Sequence, residues 1–198
     1  MAIKPILFNT EMVRAILDGR KSCTRRLVKF LSGENPRWTG YIKDGLMLYN
    51  GKNEPCIRKA PYQSGDILYV RETWGYPIAL NSDKQYVFRA DEVAESGFKN
   101  DSHIWHPSIR MPKGAARIWL RVTDVRVERL QDIDGKGCVK EGIEEEPLKY
   151  VGDEFVKGMF HDLWDSTIKK SDLDRYSWDA NPWVWVIEFE RCEKPEGV

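Results

Sequence analysis

Short stretches in which apolar and polar residues alternate recur along the chain and predict that β-strands dominate the fold. The chain begins with an apolar run, Ile3 to Phe8. It closes with a longer run, Trp183 to Phe189, which is apolar at both parities and therefore predicts a strand covered on both faces. Further strands are predicted at Thr24 to Phe30, Ile67 to Glu72 and Gln85 to Arg89.

The longest alternating stretch, Arg117 to Leu130, changes phase in its middle. Ile118, Leu120 and Val122 share one parity, whereas Val125 and Val127 share the other. Such a change moves the apolar residues to the other face of a strand, since neighbouring side chains point to opposite sides. We therefore predict a β-bulge or a sharp bend near Thr123 and Asp124.

Three segments have the spacing of amphipathic helices. The first begins at Asn9 or Thr10, either of which can cap a helix, and ends at Gly19. The second, Asp134 to Glu141, is short and is weakened by two internal glycines. The third, Asp153 to Ser166, has a continuous apolar side and is the strongest of the three.

Two long insertions separate these elements. Leu31 to Tyr62 is rich in Gly, Asn, Lys and Pro and predicts a hairpin that pairs Trp38 to Ile42 with Leu46 to Tyr49. Tyr76 to Lys113 ends in a long loop of little periodicity, a kind of loop that is usually functional or mobile. The whole pattern favours an α+β domain, built on a bent, mostly antiparallel sheet or small barrel with two or three flanking helices.

Composition narrows the class of protein. The chain has 198 residues with 31 basic and 31 acidic side chains, so it carries no net charge that would attract nucleic acid or an anionic membrane. At this length we expect one domain, residues 1–192, followed by a short tail, 193–198. The start lacks the apolar run of a signal peptide, and no stretch is apolar enough to span a bilayer. We therefore predict a cytoplasmic protein without a membrane partner.

Metal and redox chemistry find little support in the sequence. The four cysteines are spread along the chain without a CxxC spacing. His103 and His106 form an HxxH pair, but Pro107 opposes a regular metal-binding helix there. We predict four separate thiols, no metal site and no cofactor.

The turn after the first predicted helix concentrates polar chemistry. It reads GRKSCTRR, Gly19 to Arg26, and holds four cations, two hydroxyls and one thiol. The simplest interpretation is a helix C-terminus whose cations complement the helix dipole. The alternative is a site, in which neighbouring cations favour the neutral amine of Lys21 as a base toward a hydroxyl. Arg26 would then anchor an anion or a carbonyl.

This turn resembles the GxKxxTxR signature of ASCH domains, a family with a β-barrel fold similar to the PUA domains of RNA-binding proteins. The signature falls on Gly19, Lys21, Thr24 and Arg26. Further blocks resemble the family in the same order: GDILYVRETW, then VTDVRVERLQDI followed by EGI, then PWVWVIEFER. The resemblance spans nearly the whole chain, which is similar to the longer form common in bacteriophage and prophage genomes.

The resemblance also implies a catalytic set. In small bacterial ASCH proteins that hydrolyse N4-acetylcytidine, a Lys and a Thr of the first motif act with a Glu on the later helix. These match Lys21, Thr24 and Glu141. Thr24 would attack the acyl carbonyl, Lys21 would activate it, and Glu141 would bind or protonate the amide nitrogen that leaves. The segment DGKGC before Glu141 departs from the good helix that the family has there.

A second group of residues is a candidate for substrate contacts: Arg71, Glu72, Trp74 and Arg110. In PUA-like domains aromatic side chains stack on bases and Arg contacts phosphate. The ordinary alternative for this group is a surface ion pair beside a core Trp. We expect a modified nucleoside or RNA as the partner, and two alternatives to the amidohydrolase stay open: a noncatalytic RNA- or nucleotide-binding module, and a ribonuclease.

Overall fold

The computed structural model describes residues 1–31, 41–43, 47–50, 52–77, 85–92 and 104–197. The strands are β1 (Ile3–Leu7), β2 (Cys23–Leu27), β3 (Tyr41–Lys43), β4 (Met47–Tyr49), β5 (Ile67–Arg71), β6 (Trp74–Gly75), β7 (Val87–Phe88), β8 (Trp119–Arg129) and β9 (Trp183–Cys192). The helices are α1 (Thr10–Leu17), α2 (Gly135–Lys140), α3 (Glu146–Tyr150), α4 (Asp153–Thr167) and α5 (Leu173–Tyr176).

Five of these strands form a mixed sheet in the order β1-β5-β8-β9-β2. β1 pairs with β5 in parallel, whereas the β5–β8 and β2–β9 pairs are antiparallel. β3 with β4 and β6 with β7 make two small antiparallel pairs. The structure is thus α+β with a five-stranded sheet in its described part, and closure of that sheet into a barrel stays a prediction.

The chain divides into two compact units. The first unit comprises Met1–Gly19, Gly65–Arg121 and Glu190–Val198, and the second comprises Arg20–Ser64 and Val122–Phe189. The prediction of a single domain over residues 1–192 stays a prediction.

In the first unit, helix α1 begins where an Asn can cap it. The Asn9 side chain accepts a hydrogen bond from the Met12 backbone N–H at 2.8 Å, which satisfies one of the free donors of the first turn. Asn9, rather than Thr10, is therefore the cap. Gly19 follows the helix at φ +78°, a conformation that favours glycine.

The core of the second unit lies between the strands β2 and β9 and the helices α2 and α4. Apolar side chains of these four elements, with Ile143 after α2, form one buried cluster, which includes Cys23, Cys138, Val156, Phe160, Trp164, Val184 and Val186. Every residue from Trp183 to Ile187 is buried, which confirms a strand covered on both faces.

Burial along β8 changes phase as the sequence predicts. Val122 and Val125 are buried, whereas Thr123 and Asp124 between them are both exposed. At this point the Ser64 hydroxyl donates a hydrogen bond to the Thr123 carbonyl at 2.9 Å. The change of burial phase is therefore found, and the bulge or bend at this point stays a prediction.

Several predicted bounds differ from the structure. β2 ends at Leu27, three residues before the predicted Phe30, and β7 is shorter than predicted. The predicted hairpin is confirmed where β3 pairs with β4, and its residues 38–40 and 44–46 lie outside the described residues. The helices also exceed the two or three expected, because α3 and α5 are single turns whose length is too short for a 3.6-residue pattern to appear.

Helix α2 forms in spite of its glycines because they allow close packing. A Cβ on Gly135 would lie 2.5 Å from both Asp153 Oδ1 and Leu148 Cδ1. The Gly135 backbone N–H also donates to Asp153 Oδ2 at 3.1 Å. The feature that weakens this helix in the sequence is thus what brings it against α3 and α4.

Replacing Gly135 with Ala is therefore expected to destabilise the protein by about 1–3 kcal/mol, although Ala favours helices. The added methyl group must displace the Asp153 carboxylate and break its hydrogen bond. Gly158→Ala in α4 is the matched control, because a Cβ there meets nothing within 4 Å. Urea unfolding should show the control at or above wild-type stability, and equal stability of both variants would contradict the packing argument.

Candidate catalytic site

The end of α2 fixes the position of Glu141. The Gly142 N–H donates to the Val139 carbonyl at 2.8 Å, and the Ile143 N–H donates to the Cys138 carbonyl at 3.3 Å. These two bonds form a Schellman motif, which needs the positive φ that Gly142 adopts at +106°. The EGI sequence therefore ends the helix and leaves Glu141 at its C-cap, while Ile143 returns to the core.

The turn before β2 binds this helix end through three consecutive residues. Arg20 Nη1 donates to the Gly142 carbonyl at 2.6 Å, and the Ser22 N–H donates to the Lys140 carbonyl at 2.9 Å. Between them, Lys21 Nζ donates to the Glu141 carbonyl at 2.7 Å. The cations of GRKSCTRR thus complement the C-terminus of α2, not only the end of the preceding helix α1.

Lys21 and Glu141 also form a side-chain ion pair, with Nζ 2.7 Å from Oε2. Arg25 reaches the other carboxylate oxygen, with Nη1 3.2 Å from Oε1. The exposed fractions of these three side chains are 0% for Lys21, 3% for Arg25 and 5% for Glu141. One carboxylate thus lies between two buried cations, although Lys21 and Glu141 are 120 positions apart.

A buried ion network of this kind is weak evidence for a role in stability. Removing charges from water costs several kcal/mol for each ion, and apolar replacements are often equally stable or more so. Glu128 is the further carboxylate near Arg25, with Oε2 3.7 Å from Nη2. Cations and carboxylates that are desolvated together are typical of functional sites.

Thr24 and Arg26 lie on β2 at the opposite parity from Cys23 and Arg25, because neighbouring side chains of a strand point to opposite sides. Thr24 is 1% exposed and pairs with Ile187 of β9. Burial lowers the pKa of the Arg26 guanidinium, while Glu141 and Tyr62 raise it. Arg26 remains a cation at neutral pH, because the ordinary pKa of Arg is so high.

The thiol of the motif is unsuited to attack a carbonyl. Burial, followed by the charge of Glu141, raises the pKa of Cys23 to about 12. Burial raises the pKa of Cys138 in α2 to about 12 as well. Since the thiolate is the reactive form of cysteine, Cys23 is a poor candidate for the nucleophile, and the role of Thr24 stays a prediction.

The other predicted substrate contacts belong to the first unit, whereas Lys21, Thr24, Arg26 and Glu141 belong to the second. Arg71 donates from Nε to the Met111 carbonyl at 2.9 Å and from Nη2 to the Ile109 carbonyl. These bonds hold the 3₁₀ turn Ser108–Arg110, in which Arg110 is exposed. The structure thus gives Arg71 a loop-holding role, and its contact with a substrate stays a prediction.

Glu72 is 1% exposed and is bound in two places by Arg117, from Nε at 2.9 Å and from Nη2 at 3.0 Å. Burial raises the pKa of Glu72, and Arg117 opposes that shift. Trp74 is buried and packs against the rings of Tyr86 and His106, with centroid distances of 5.5 and 4.9 Å. The Glu72–Arg117 pair beside the buried Trp74 agrees with the alternative of an ion pair next to a core Trp, except that Glu72 is buried and not at the surface.

Two contacts do not follow from the sequence. The bond of Arg25 to Glu141 depends on which face of β2 the helix α2 covers, and the bond of Arg117 to Glu72 joins residues 45 positions apart. The available signal for Arg25 is its shared parity with the apolar Cys23, which indicates a residue directed into the protein.

Within the described ranges, no group of three or more His, Cys, Asp and Glu residues is arranged to hold a metal ion. His103 lies outside the described residues, and His106 pairs with Trp74 through backbone hydrogen bonds. A helix with the length and apolarity needed to cross a bilayer is not found among the residues that the structure describes.

Comparison with known proteins gives one structural likeness. The chain is similar to the ASCH domain from Lactobacillus crispatus in its crystal structure, with 12% sequence identity and a TM-score of 0.41. The likeness covers 96% of this chain and 79% of that one. No family model matches the chain, and none of the curated proteins compared with it matches either.

Proposed function

We propose that the protein is an amidohydrolase of the ASCH type that removes the acyl group from an N4-acylated cytidine. The observation that carries the proposal is the buried contact of Lys21 with Glu141, 2.7 Å between Nζ and Oε2. Thr24 follows Lys21 by three positions in the sequence, and its side chain is buried. A base, a hydroxyl and a carboxyl group are the functional groups that amide hydrolysis through an acyl-enzyme needs.

The Lys21–Glu141 pair can supply a base and an acid together. If the proton of the ion pair moves from Nζ to Oε2, the products are a neutral amine and a neutral carboxylic acid. The amine then accepts the Thr24 proton while Glu141 donates its own to the departing N4 atom.

Acylation transfers the acyl group from N4 to Thr24. The Thr24 oxygen forms a bond to the acyl carbon, the bond from that carbon to N4 breaks, and cytidine leaves as a neutral amine. Lys21 ends as an ammonium and Glu141 as a carboxylate. Arg25 donates to Oε1 and stabilises this carboxylate, and Arg26 is a further cation for the developing negative charge on the carbonyl oxygen.

Deacylation uses the same groups in the reverse sense. Glu141 accepts a proton from water as the water oxygen attacks the acyl carbon. The bond from that carbon to the Thr24 oxygen breaks, and Lys21 returns a proton to the hydroxyl. The products are the carboxylic acid and the free enzyme, so the cycle consumes one water for each amide.

The test is hydrolysis of N4-acetylcytidine by the purified protein, with cytidine release followed by chromatography. We expect turnover by the wild type and a loss of at least about 100-fold in Thr24→Val, which keeps the shape and removes the hydroxyl. Thr123→Val is the matched control, because Thr123 is an exposed threonine of β8 in the same unit. Unchanged turnover in Thr24→Val would exclude Thr24 as the nucleophile.

A binding module is the second candidate, and the excess of cations around Glu141 favours it. Lys21 and Arg25 contact the Glu141 carboxylate, and Arg26 is close enough for the same carboxylate to raise its pKa. Such a group can hold a phosphate or the carbonyl of a base. Binding of cytidine or a short RNA by the wild type without any release from N4-acetylcytidine would decide for this function.

A further inference from the structure

The first unit contains a cavity of about 560 Å³, within the size range of small-molecule sites. Its lining includes three aromatic side chains and three small residues: Tyr86, Phe88, Trp105, Gly114, Ala115 and Ala116. Flat rings beside small residues leave space for an apolar or aromatic body. None of these residues has a part in the proposed hydrolysis.

Among the lining residues that the structure describes, carboxylates outnumber cations. Asp91, Glu92 and Arg117 all line the cavity. Arg117 is shared between Glu72, at 2.9 and 3.0 Å, and Asp91, at 2.8 Å from Nη1. One guanidinium thus serves two carboxylates, and Glu92 adds a third negative charge.

Two cations lie close to this lining. Arg14 pairs with Glu11 at 2.9 Å and donates to the backbone carbonyls of Ala90, at 3.0 Å, and of Glu92, at 2.6 Å. Lys113 lies with Nζ 5.9 Å from the ring centroid of Tyr69. Neither side chain is among the described lining residues, where two carboxylates, Asp91 and Glu92, accompany one cation, Arg117.

The cavity already shows how it holds a cation. The Arg117 guanidinium lies 4.0 Å from the ring centroid of Phe88, a cation–π distance. The same guanidinium is held from its edges by the two carboxylates. Aromatic faces combined with carboxylates are the chemistry that recognises organic cations.

We propose that this cavity binds a small organic cation, an ammonium or guanidinium group on an aromatic or apolar body. The body occupies the space beside Gly114 and Ala115, and the charge lies near Asp91 and Glu92. A phosphate-bearing ligand is disfavoured, because it would meet the same carboxylates. The inference does not depend on the proposed amidohydrolase activity.

The test is calorimetric titration of the full chain with 2-phenylethylammonium, beside 2-phenylethanol and 3-phenylpropionate as neutral and anionic probes. We expect the cation to bind with a Kd of roughly 0.1–1 mM, a strength suited to a small ligand. The two other probes should bind at least about tenfold more weakly. Equal binding of all three, or no heat from the cation up to about 10 mM, would overturn the proposal.

Two variants locate the binding. A Cβ on Gly114 meets nothing within 4 Å, so Gly114→Leu adds a side chain in open space at the cavity wall and should abolish binding. Gly158→Leu, with equally open surroundings in the second unit, should leave it unchanged. Asp91→Asn should weaken the cation about fivefold or more, whereas Asp174→Asn, an exposed acid of the second unit, should not. Unaltered affinity in both cavity variants would place the site elsewhere and refute the assignment.

Discussion

Lys21→Met is expected to reduce hydrolysis of N4-acetylcytidine by about 10³-fold or more. Met has nearly the length of Lys and no amine, so the variant keeps the packing and removes the base. Glu141 retains Arg25 at 3.2 Å, which limits the cost to folding. Single-turnover cytidine release, measured beside the melting temperature, separates loss of chemistry from loss of structure.

Lys21→Arg makes the same experiment sharper. Arginine keeps a cation for Glu141, but its guanidinium does not lose a proton at accessible pH. If Lys21 is a base, the Arg variant should be about as inactive as the Met variant, whereas a purely electrostatic Lys21 would be partly replaced. Turnover of either variant within about threefold of the wild type would refute the mechanism.

The second large effect concerns stability. Glu141→Leu is expected to lower the free energy of unfolding by about 3–5 kcal/mol. The change removes the carboxylate that both Lys21 and Arg25 contact, and their side chains are 0% and 3% exposed. Two buried cations then face an apolar group. Urea unfolding measures the loss.

A double-mutant cycle tests whether the pair itself is responsible. Lys21→Met combined with Glu141→Leu removes both charges, so its loss should be smaller than the sum of the two single losses by at least about 1 kcal/mol. Glu144→Leu, an exposed acid three positions along, is the control and should change stability by less than about 0.5 kcal/mol. Additive losses would mean that Lys21 and Glu141 do not interact in the folded protein.

Local sequence features predicted the elements that local physics controls. The cap at Asn9, the stop at Gly19 and the doubly covered strand at Trp183 to Ile187 depend on nearby residues, and all three are found. The phase change in β8 is found as well, because a period of two residues records which face each half of the strand buries. The first and last residues of each strand and the single-turn helices are harder to predict, since they depend on packing.

Helix α2 shows where local reasoning was misleading. Its glycines lower the intrinsic preference for a helix, yet the structure uses one of them to place Asp153 and Leu148 against the backbone. Tertiary packing outweighs a propensity difference of about 1 kcal/mol per glycine. The position of Glu141 follows from this packing and from the Schellman turn at Gly142.

The sequence by itself determined which groups are available: a lysine, a threonine and arginines in one short turn, and a glutamate that precedes a glycine able to end a helix. It also determined the alternation of faces along β2, which separates Thr24 from Arg25. Only the tertiary structure decided that Lys21 and Glu141, 120 positions apart, meet at 2.7 Å, and that Arg25 completes the network. The reason is physical: periodicity and capping act within a few residues, whereas burial of a charge pair depends on which distant element covers it.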